Sequence, residues 1–210
     1  MRIYLSHEVQ YREIIDPSSE RPVGFLIFFM SEDPKIQNIK VLASTRLFSI
    51  ESVDLHFANG EARTFERLMG TGQGAVMVVP LIKNDQVLLI REFAAGMERY
   101  ELGFVKGKID NGEAPEAAAR RELREETGFD AKSLKRLATV GLTPSYSNYQ
   151  THIFLADELF SAPLPGDEPE ALETISWSLA ELDTLRRQEN FSDSRSVLAT
   201  FLIAEELINE

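Results

Sequence analysis

The sequence predicts an α/β fold in which one mixed β-sheet lies between helices, an α/β/α sandwich. Three observations support this prediction: apolar and alternating runs typical of strands fill the middle of the chain, a helix of strong helix formers interrupts them, and helical patterns close the chain. With 210 residues, 43% of them hydrophobic, the chain is long enough to bury one sizeable core and a small subdomain.

Two regions precede the predicted core. Residues 1–40 are interpreted as an N-terminal extension, of which residues 1–29 would lie upstream of the natural start if translation begins at Met30. Residues 23–30 are apolar but far too few to span a bilayer, and acidic residues and prolines precede them where a signal peptide carries basic residues. If residues 1–29 belong to the protein, this apolar run could form an extra strand or pack on a partner.

Residues 41–72 predict a small N-terminal β-hairpin subdomain. Residues 47–57 alternate between apolar and polar side chains, and residues 61–69 return as a second strand. Between them, Asn59-Gly60 is a strong hairpin turn. The main domain then occupies residues 73–210.

The main domain has strand patterns on both sides of its first helix. Residues 75–82 form an unbroken apolar run suited to a buried strand. Further strands are predicted at residues 86–93, 99–105, 134–143, 151–156 and 175–178, and C-terminal helices at residues 179–188 and 194–208. In the last helix, an apolar set at helical spacing is predicted to face the core: Val197, Phe201, Ala204 and Leu207.

The first helix is predicted at residues 115–127. Pro115 suits the first turn, where its missing N–H costs nothing, and strong helix formers follow it. Gly128 supplies the stop. The loop before this helix and the helix itself contain the residues on which the functional prediction rests.

Three glutamates of this helix share one face. Glu122, Glu125 and Glu126 stand at i, i+3 and i+4, and Glu113, one turn upstream, can fold back toward them. A charge run is usually only a solvated face, and neighbouring arginines could pair with it. Hard cations such as Mg²⁺ and Mn²⁺ prefer carboxylate oxygens, however, and Mg²⁺ takes further ligands from a bound phosphate. The whole set therefore predicts a metal site beside a phosphate.

The spacing of these residues follows the pattern G-x5-E-x7-R-E-U-x-E-E-x-G-U, where U is apolar. Nine positions match it: Gly107, Glu113, Arg121, Glu122, Leu123, Glu125, Glu126, Gly128 and Phe129. This pattern resembles the box of the Nudix family, whose fold is an α/β/α sandwich with a mixed sheet. Further stretches over roughly residues 30–208 resemble the ADP-compounds hydrolases of the family's ADP-ribose pyrophosphatase branch.

The resemblance implies a metal-dependent hydrolase. It would cleave the pyrophosphate linkage of ADP-containing nucleotides such as ADP-ribose, NADH and diadenosine polyphosphates, and release AMP. Glu122 and Glu126 would be the principal ligands of Mg²⁺ or Mn²⁺, joined by Glu125 and the backbone carbonyl of Lys106. Arg121 would orient the glutamates. Glu113 would support the loop and help to place the attacking water.

The chemistry fits this interpretation independently. A pyrophosphate repels an incoming nucleophile, so the site must neutralise charge, align water and stabilise the leaving phosphate, which carboxylate-held cations do. In the ADP-ribose branch the base that activates the water often comes from an acidic loop downstream of the box. Here that loop contains Glu168, our first candidate, and Glu170, our second. A solvated, proline-rich turn is the competing interpretation.

Substrate contacts are harder to assign from the sequence. Arg91, Arg99, Lys106 and Lys108 are reasonable phosphate contacts, and each could equally have a surface role. Glu101 opens the segment that replaces the usual approach to the box, and we count it among the substrate-binding candidates. Two more candidates follow the helix: Pro144 resembles a proline of the ADP-ribose group, and Tyr146 could stack on a base or simply pack.

Composition narrows the classes of partner. A net charge of −12 argues against a polymeric nucleic acid, which needs a basic face. The lack of cysteine excludes disulfides and thiolate zinc sites and makes a reducing cytoplasm the default compartment. The expected partners are small nucleotide diphosphate derivatives, and no association with a membrane is expected. The family resemblance also implies a homodimer that uses the N-terminal subdomain.

Two other classes carry a related box. Isopentenyl-diphosphate isomerases rely on a cysteine for protonation, and this chain has none. A non-catalytic Nudix-fold nucleotide-binding or regulatory module would normally have lost part of the carboxylate set, which is complete here. That module remains the alternative to the hydrolase.

Overall fold

The computed structural model describes residues 9–29, 32–70, 72–83, 85–166 and 169–208. The chain divides into two compact units, one within Met1–Leu42 and Glu51–Glu66 and the other within Ala43–Ile50 and Arg67–Glu210. Residues 1–8 and Met30 lie outside the described ranges. Among the described residues, no helix is both long enough and apolar enough to cross a membrane.

Two small sheets form in the N-terminal part of the chain. In the first, β1 (Val9–Ile15) pairs antiparallel with β2 (Pro22–Phe29), so the described part of the apolar run, residues 23–29, does form an extra strand. In the second, β4 (Phe48–His56) lies between β3 (Lys35–Ser44) and β5 (Ala62–Gly70). The predicted hairpin is therefore confirmed as β4 and β5, whereas the sequence did not predict β3.

The main domain contains a mixed seven-stranded sheet. Its strands are β6 (Ala75–Ile82), β7 (Gln86–Ala94), β8 (Arg99–Gly103), β9 (Val105–Lys108), β10 (Phe129–Gly141), β11 (Gln150–Ser161) and β12 (Glu173–Ser178). The order is β10-β11-β6-β7-β12, with β8 paired to β7 and β9 paired to β6. Strands β11 and β6 run parallel, whereas β10–β11, β12–β7, β6–β7, β6–β9 and β7–β8 pair antiparallel. This confirms the mixed sheet.

Helices cover both faces of this sheet. The side chains of a strand alternate between the two faces, so β6 contributes to two separate buried clusters. Val76 and Val78 of β6 pack with Leu123 of α1 (Pro115–Thr127) in one buried cluster. Met77 and Val79 pack in a second cluster, together with buried side chains from α2 (Leu182–Leu185) and α3 (Ser194–Ile208). The predicted α/β/α sandwich is confirmed.

Several predicted boundaries change. The strand predicted at residues 99–105 divides into β8 and β9, and β10 begins at Phe129 instead of residue 134. The helix predicted at residues 179–188 is wrong as a single α-helix, because a 3₁₀ turn (Leu179–Glu181) leads into the short α2.

Helix α3 has the predicted bounds but a different buried face. Phe201 is 53% exposed and Leu207 is 36% exposed, so the prediction that they face the core is wrong. The fully buried positions are instead Ser196, Ala199, Thr200 and Ile203. The guanidinium of Arg186 stacks over the Phe201 ring, 4.2 Å from its centroid, and covers part of its apolar surface.

Helix α1 ends as the sequence predicts. Gly128 adopts a left-handed conformation with φ of 76°, and its N–H donates to the Arg124 carbonyl. Glycine takes up this conformation without steric cost, so the chain can leave the helix at once and enter β10. The helix therefore has a fixed length and presents its glutamates at a defined height above the sheet.

Candidate active site

The candidate site is built where α1 packs on β9. Ala118, Ala119 and Leu123 of α1 are buried in the core, and Glu122 and Glu126 stand three or four residues from them, so these glutamates lie at the edge of the helix face that packs on the sheet. Glu122 lies against Gly107 of β9: a Cβ added to that glycine would lie 1.9 Å from the Glu122 Cδ atom. Any side chain at this position would displace the Glu122 carboxylate, which explains a glycine at this position of the motif.

Glu126, one turn further along α1, is buried above the same strand. The backbone amide of Lys106 hydrogen-bonds its carboxylate, but the Oε2 atom is buried and has no partner among the described residues. Burial, the largest cause, and the nearby carboxylates of Glu122 and Glu92 together raise the pKa of Glu126 to about 9, against the opposing charge of Lys106. In the absence of a cation, this side chain is protonated at neutral pH.

Glu92 is a site residue that the sequence analysis missed. Its Oε2 atom lies 2.6 Å from the Nζ atom of Lys106, so the ammonium of that lysine is held beside Glu126. One signal was available: Glu92 is two residues after the buried Ile90, which packs on the α1 side of the sheet, and alternate residues of a strand share a face.

Arg121 joins the remaining carboxylates. Its guanidinium donates to Glu113 at 2.9 and 3.0 Å, to Glu122 at 2.6 Å and to Glu125 at 3.1 Å. It also donates to the Lys108 carbonyl at 2.9 Å. These bonds, led by that with Glu113, raise the pKa of Arg121, and Arg121 in turn lowers the pKa of Glu113.

The carboxylates of Glu113, Glu122 and Glu125 are grouped around the guanidinium of Arg121. Within the described ranges, no three acidic, histidine or cysteine side chains are grouped as a preformed metal site requires. The residues nevertheless fit a divalent cation, because all the side-chain donors are carboxylates and the buried Oε2 atom of Glu126 lacks a partner. The space kept open by Gly107 also lets Glu122 lie directly on the strand.

A cleft of about 320 Å³ opens beside these glutamates. It is lined by Glu122, Glu125, Glu126, Gly166, Pro169, Glu170, Ala171 and Leu172. The segment after β11 forms its second wall and is bonded to α1: Arg124 Nε donates to the Ala162 carbonyl at 2.8 Å, and the Leu164 N–H donates to the Arg124 carbonyl at 3.3 Å. The structure thus brings Glu170 to the cleft.

Glu170 accepts a hydrogen bond from the Tyr100 hydroxyl at 2.8 Å. This bond, with the negative charge of Glu170, raises the pKa of Tyr100. Glu168, the first candidate for the base, lies outside the described residues.

The seven predicted substrate contacts do not line this cleft. Arg91 pairs with Glu173 at 3.2 Å. Arg99 and Glu101 bond each other at 2.5 Å, and Glu101 also accepts from the N–H and hydroxyl of Ser192.

Of the other predicted contacts, Lys108 lines a second, largely apolar cavity of about 390 Å³, together with Tyr149. Pro144 and Tyr146 lie in the exposed loop after β10, where the Tyr146 side chain is 56% exposed and its carbonyl accepts from the Leu68 N–H.

Comparison with known proteins decides the family. The model of the NUDIX domain matches residues 72–201, and that of the NudE-type Nudix hydrolase N-terminal domain matches residues 34–67. The chain belongs to the Nudix family. Nudix hydrolases generally use divalent metal cations, which agrees with the carboxylate donors of the cleft.

Relatives whose names state their activity support the same branch of the Nudix family. The chain is 46% identical to the ADP compounds hydrolase NudE of Escherichia coli (strain K12), over 83% of this chain and 93% of the relative. It is 33% identical to the ADP-sugar pyrophosphatase of Mus musculus, over 67% and 73%. A crystal structure of an ADP compounds hydrolase aligns with a TM-score of 0.79 and 44% identity, over 85% of this chain and 96% of that one. The expected resemblance to ADP-compounds hydrolases is confirmed.

The contact between Gly107 and Glu122 can be tested by adding one methyl group. We expect Gly107→Ala to displace the Glu122 carboxylate, to lower hydrolysis by about 100-fold, and to destabilise the fold by about 1–3 kcal/mol. Steady-state kinetics and urea unfolding would measure both effects. Gly96→Ala is the matched control, because a Cβ at Gly96 meets no atom within 4 Å. Equal activity of the two variants would contradict the contact.

The pKa of Glu126 predicts how stability depends on pH in the presence of a chelator. The folded carboxyl keeps its proton up to about pH 9, whereas in the unfolded chain it ionises near 4.5. Its contribution to stability is therefore complete below pH 4.5 and is lost as the pH rises toward 9, at a slope of at most about 1.4 kcal/mol per pH unit.

Glu126→Gln should remove this component, so the variant should gain stability relative to wild type as the pH rises. Urea unfolding from pH 5.5 to 8.5 would measure the difference. Glu189→Gln changes a carboxylate that is 93% exposed and serves as the control. Parallel curves for wild type and Glu126→Gln would show that burial does not shift this group.

Proposed function

We propose that this Nudix hydrolase cleaves the pyrophosphate linkage of ADP-containing nucleotides, such as ADP-ribose, NADH and diadenosine polyphosphates, and releases AMP. The observation that carries the proposal is the complete carboxylate set of α1 facing a cleft whose other wall contributes Glu170. The relatives, an ADP compounds hydrolase and ADP-ribose and ADP-sugar pyrophosphatases, support this substrate class.

Glu122 and Glu126 would hold Mg²⁺ or Mn²⁺, with Glu125 and the Lys106 carbonyl as further ligands. When bound, such a cation neutralises phosphate charge and lowers the pKa of a coordinated water. Arg121 and Glu113 position the glutamates, because their bonds fix the carboxylates at the surface of α1. Glu126 loses its proton when a cation binds, so binding should release protons and strengthen as the pH rises.

Glu170 is the described residue best placed to act as general base. It lies on the cleft wall opposite the helix glutamates and carries a carboxylate exposed to the cleft. In the proposed reaction a water oxygen attacks phosphorus while its proton passes to Glu170, and the bond from that phosphorus to the bridging oxygen breaks. The bridging oxygen leaves with the other half of the substrate, and AMP is one of the two products.

The substrate contacts stay proposals. Lys106 and Lys108 flank Gly107 in β9, the strand that Glu122 lies against, and we propose them as phosphate contacts. Tyr146 remains the candidate for stacking on a base, with Pro144 shaping its loop, because its ring is exposed. Arg91, Arg99 and Glu101 would affect substrate binding indirectly, because their ion pairs hold the strands in place.

A panel of nucleotides tests the function. We expect AMP from ADP-ribose, NADH and diadenosine polyphosphates with Mg²⁺ or Mn²⁺, loss of activity with a chelator, and recovery when the cation returns. Glu126→Gln should lower kcat by at least about 1,000-fold, because it removes a ligand that no other described side chain replaces. Chromatography of the products after reaction in ¹⁸O-labelled water would also identify the attacked phosphorus. Turnover without any divalent cation would refute the mechanism.

We further propose a cytoplasmic homodimer that uses the N-terminal strands. All ten residues of β3 are exposed in the single chain, among them Ile36, Ile39, Val41 and Leu42. Exposed apolar side chains in such a row are typical of a surface that a partner covers. A second copy of the chain is the partner that the family resemblance implies.

Light scattering during size-exclusion chromatography tests the dimer. Wild type should elute with twice the mass of the chain, and the double variant Ile39→Glu/Val41→Glu should elute as a monomer, since both side chains lie on the same face of β3. Lys40→Glu changes the charge of the same strand without removing an apolar group and should stay dimeric. A monomeric wild type, or a dimeric double variant, would rule out this surface.

A further inference from the structure

The cleft wall that contains Glu170 is attached at both ends. Toward its N-terminal end, Gly166 packs on α1 so closely that an added Cβ would lie 3.4 Å from the Glu125 carbonyl oxygen. Toward its C-terminal end, Glu173 pairs with Arg91 of β7 and begins β12, which is in register with β7. Between these attachments, the Glu170 side chain is exposed.

Tyr100 of β8 provides the hydrogen bond that orients this exposed carboxylate. Its hydroxyl donates to Glu170 Oε1 at 2.8 Å. The Tyr100 ring is itself held on two sides: the Phe93 ring meets it edge to face at 5.4 Å, and the Arg91 guanidinium lies 4.0 Å from its centroid. Arg91 thus holds both Tyr100 and Glu173.

We infer that Tyr100 is a positioning residue for hydrolysis, which fixes the Glu170 carboxylate in the orientation that receives a proton from the attacking water. The inference rests on the proposed role of Glu170. A long exposed side chain otherwise loses rotamer freedom at the moment of reaction, and a hydrogen bond from a rigid ring removes that cost beforehand. Tyr100 keeps its own proton throughout, and Glu170 Oε2 is left for the water.

Tyr100→Phe removes only the hydroxyl and keeps the ring contacts with Phe93 and Arg91. We expect kcat to fall by about tenfold, with KM within about twofold of wild type, because the lost bond orients a reacting group and does not touch the substrate. The melting temperature should not change. Thr184→Val is the matched control, since it removes a hydroxyl that donates to Glu181 at 2.8 Å on α2.

Hydrogen–deuterium exchange tests the inference without measuring activity, because it reports how firmly the segment around Glu170 is held. Hydrogen–deuterium exchange of residues 169–173 should rise in Tyr100→Phe and equally in Glu170→Ala, which breaks the same bond from its other partner. It should stay at the wild-type level in Thr184→Val. Unchanged exchange in both Tyr100→Phe and Glu170→Ala would overturn the inference.

A double-mutant cycle shows whether Tyr100 acts through Glu170. If it does, Tyr100→Phe/Glu170→Gln should be no slower than Glu170→Gln alone. Losses that multiply would overturn the positioning role, as would an unchanged kcat in Tyr100→Phe. Failure of the proposed function looks different, because then the wild type itself releases no AMP or Glu126→Gln remains fully active.

Discussion

The contact between α1 and β9 is the constraint on which the site depends. A helix normally keeps its glutamates in water, but here Glu122 and Glu126, one turn apart, both lie against a strand. Taking a carboxylate out of water is costly unless the charge is neutralised or paired. Glu126 meets this cost through its raised pKa, and Glu122 through Arg121. A cation bound to both carboxylates would neutralise the negative charge that is otherwise balanced by the Glu126 proton and by Arg121.

The two walls of the cleft are built differently. The α1 wall rests on a buried cluster that includes Leu123, so the helix that carries its glutamates is anchored to the core. The other wall is an irregular segment that is positioned by a few polar contacts, from Arg124 at one end and from Tyr100 and Arg91 at the other. Such a division suits a hydrolase that needs fixed metal ligands and must also admit and release a nucleotide.

The arginines near the site have two kinds of role. Arg121 bonds four separate groups and organises the carboxylates directly. Arg99 instead joins β8 to the residues before α3 through Glu101 and the Glu189 carbonyl. The motif gave Arg121 its role in advance, but the sequence could not decide between a phosphate contact and a surface role for Arg99, because a positive charge beside a strand suits a phosphate and a structural ion pair equally well.

Local sequence determined the elements whose signals are themselves local. The bounds of α1, β6 and α3 follow from helix formers, a glycine stop and an unbroken apolar run, and the motif spacing placed the glutamates on one helix face. Tertiary structure alone decided the partners: Glu92 beside Lys106, Tyr100 on Glu170, and Gly107 beneath Glu122. The reason is physical, because periodicity reports how a segment meets water, whereas desolvation and hydrogen bonding depend on which distant segment packs against it.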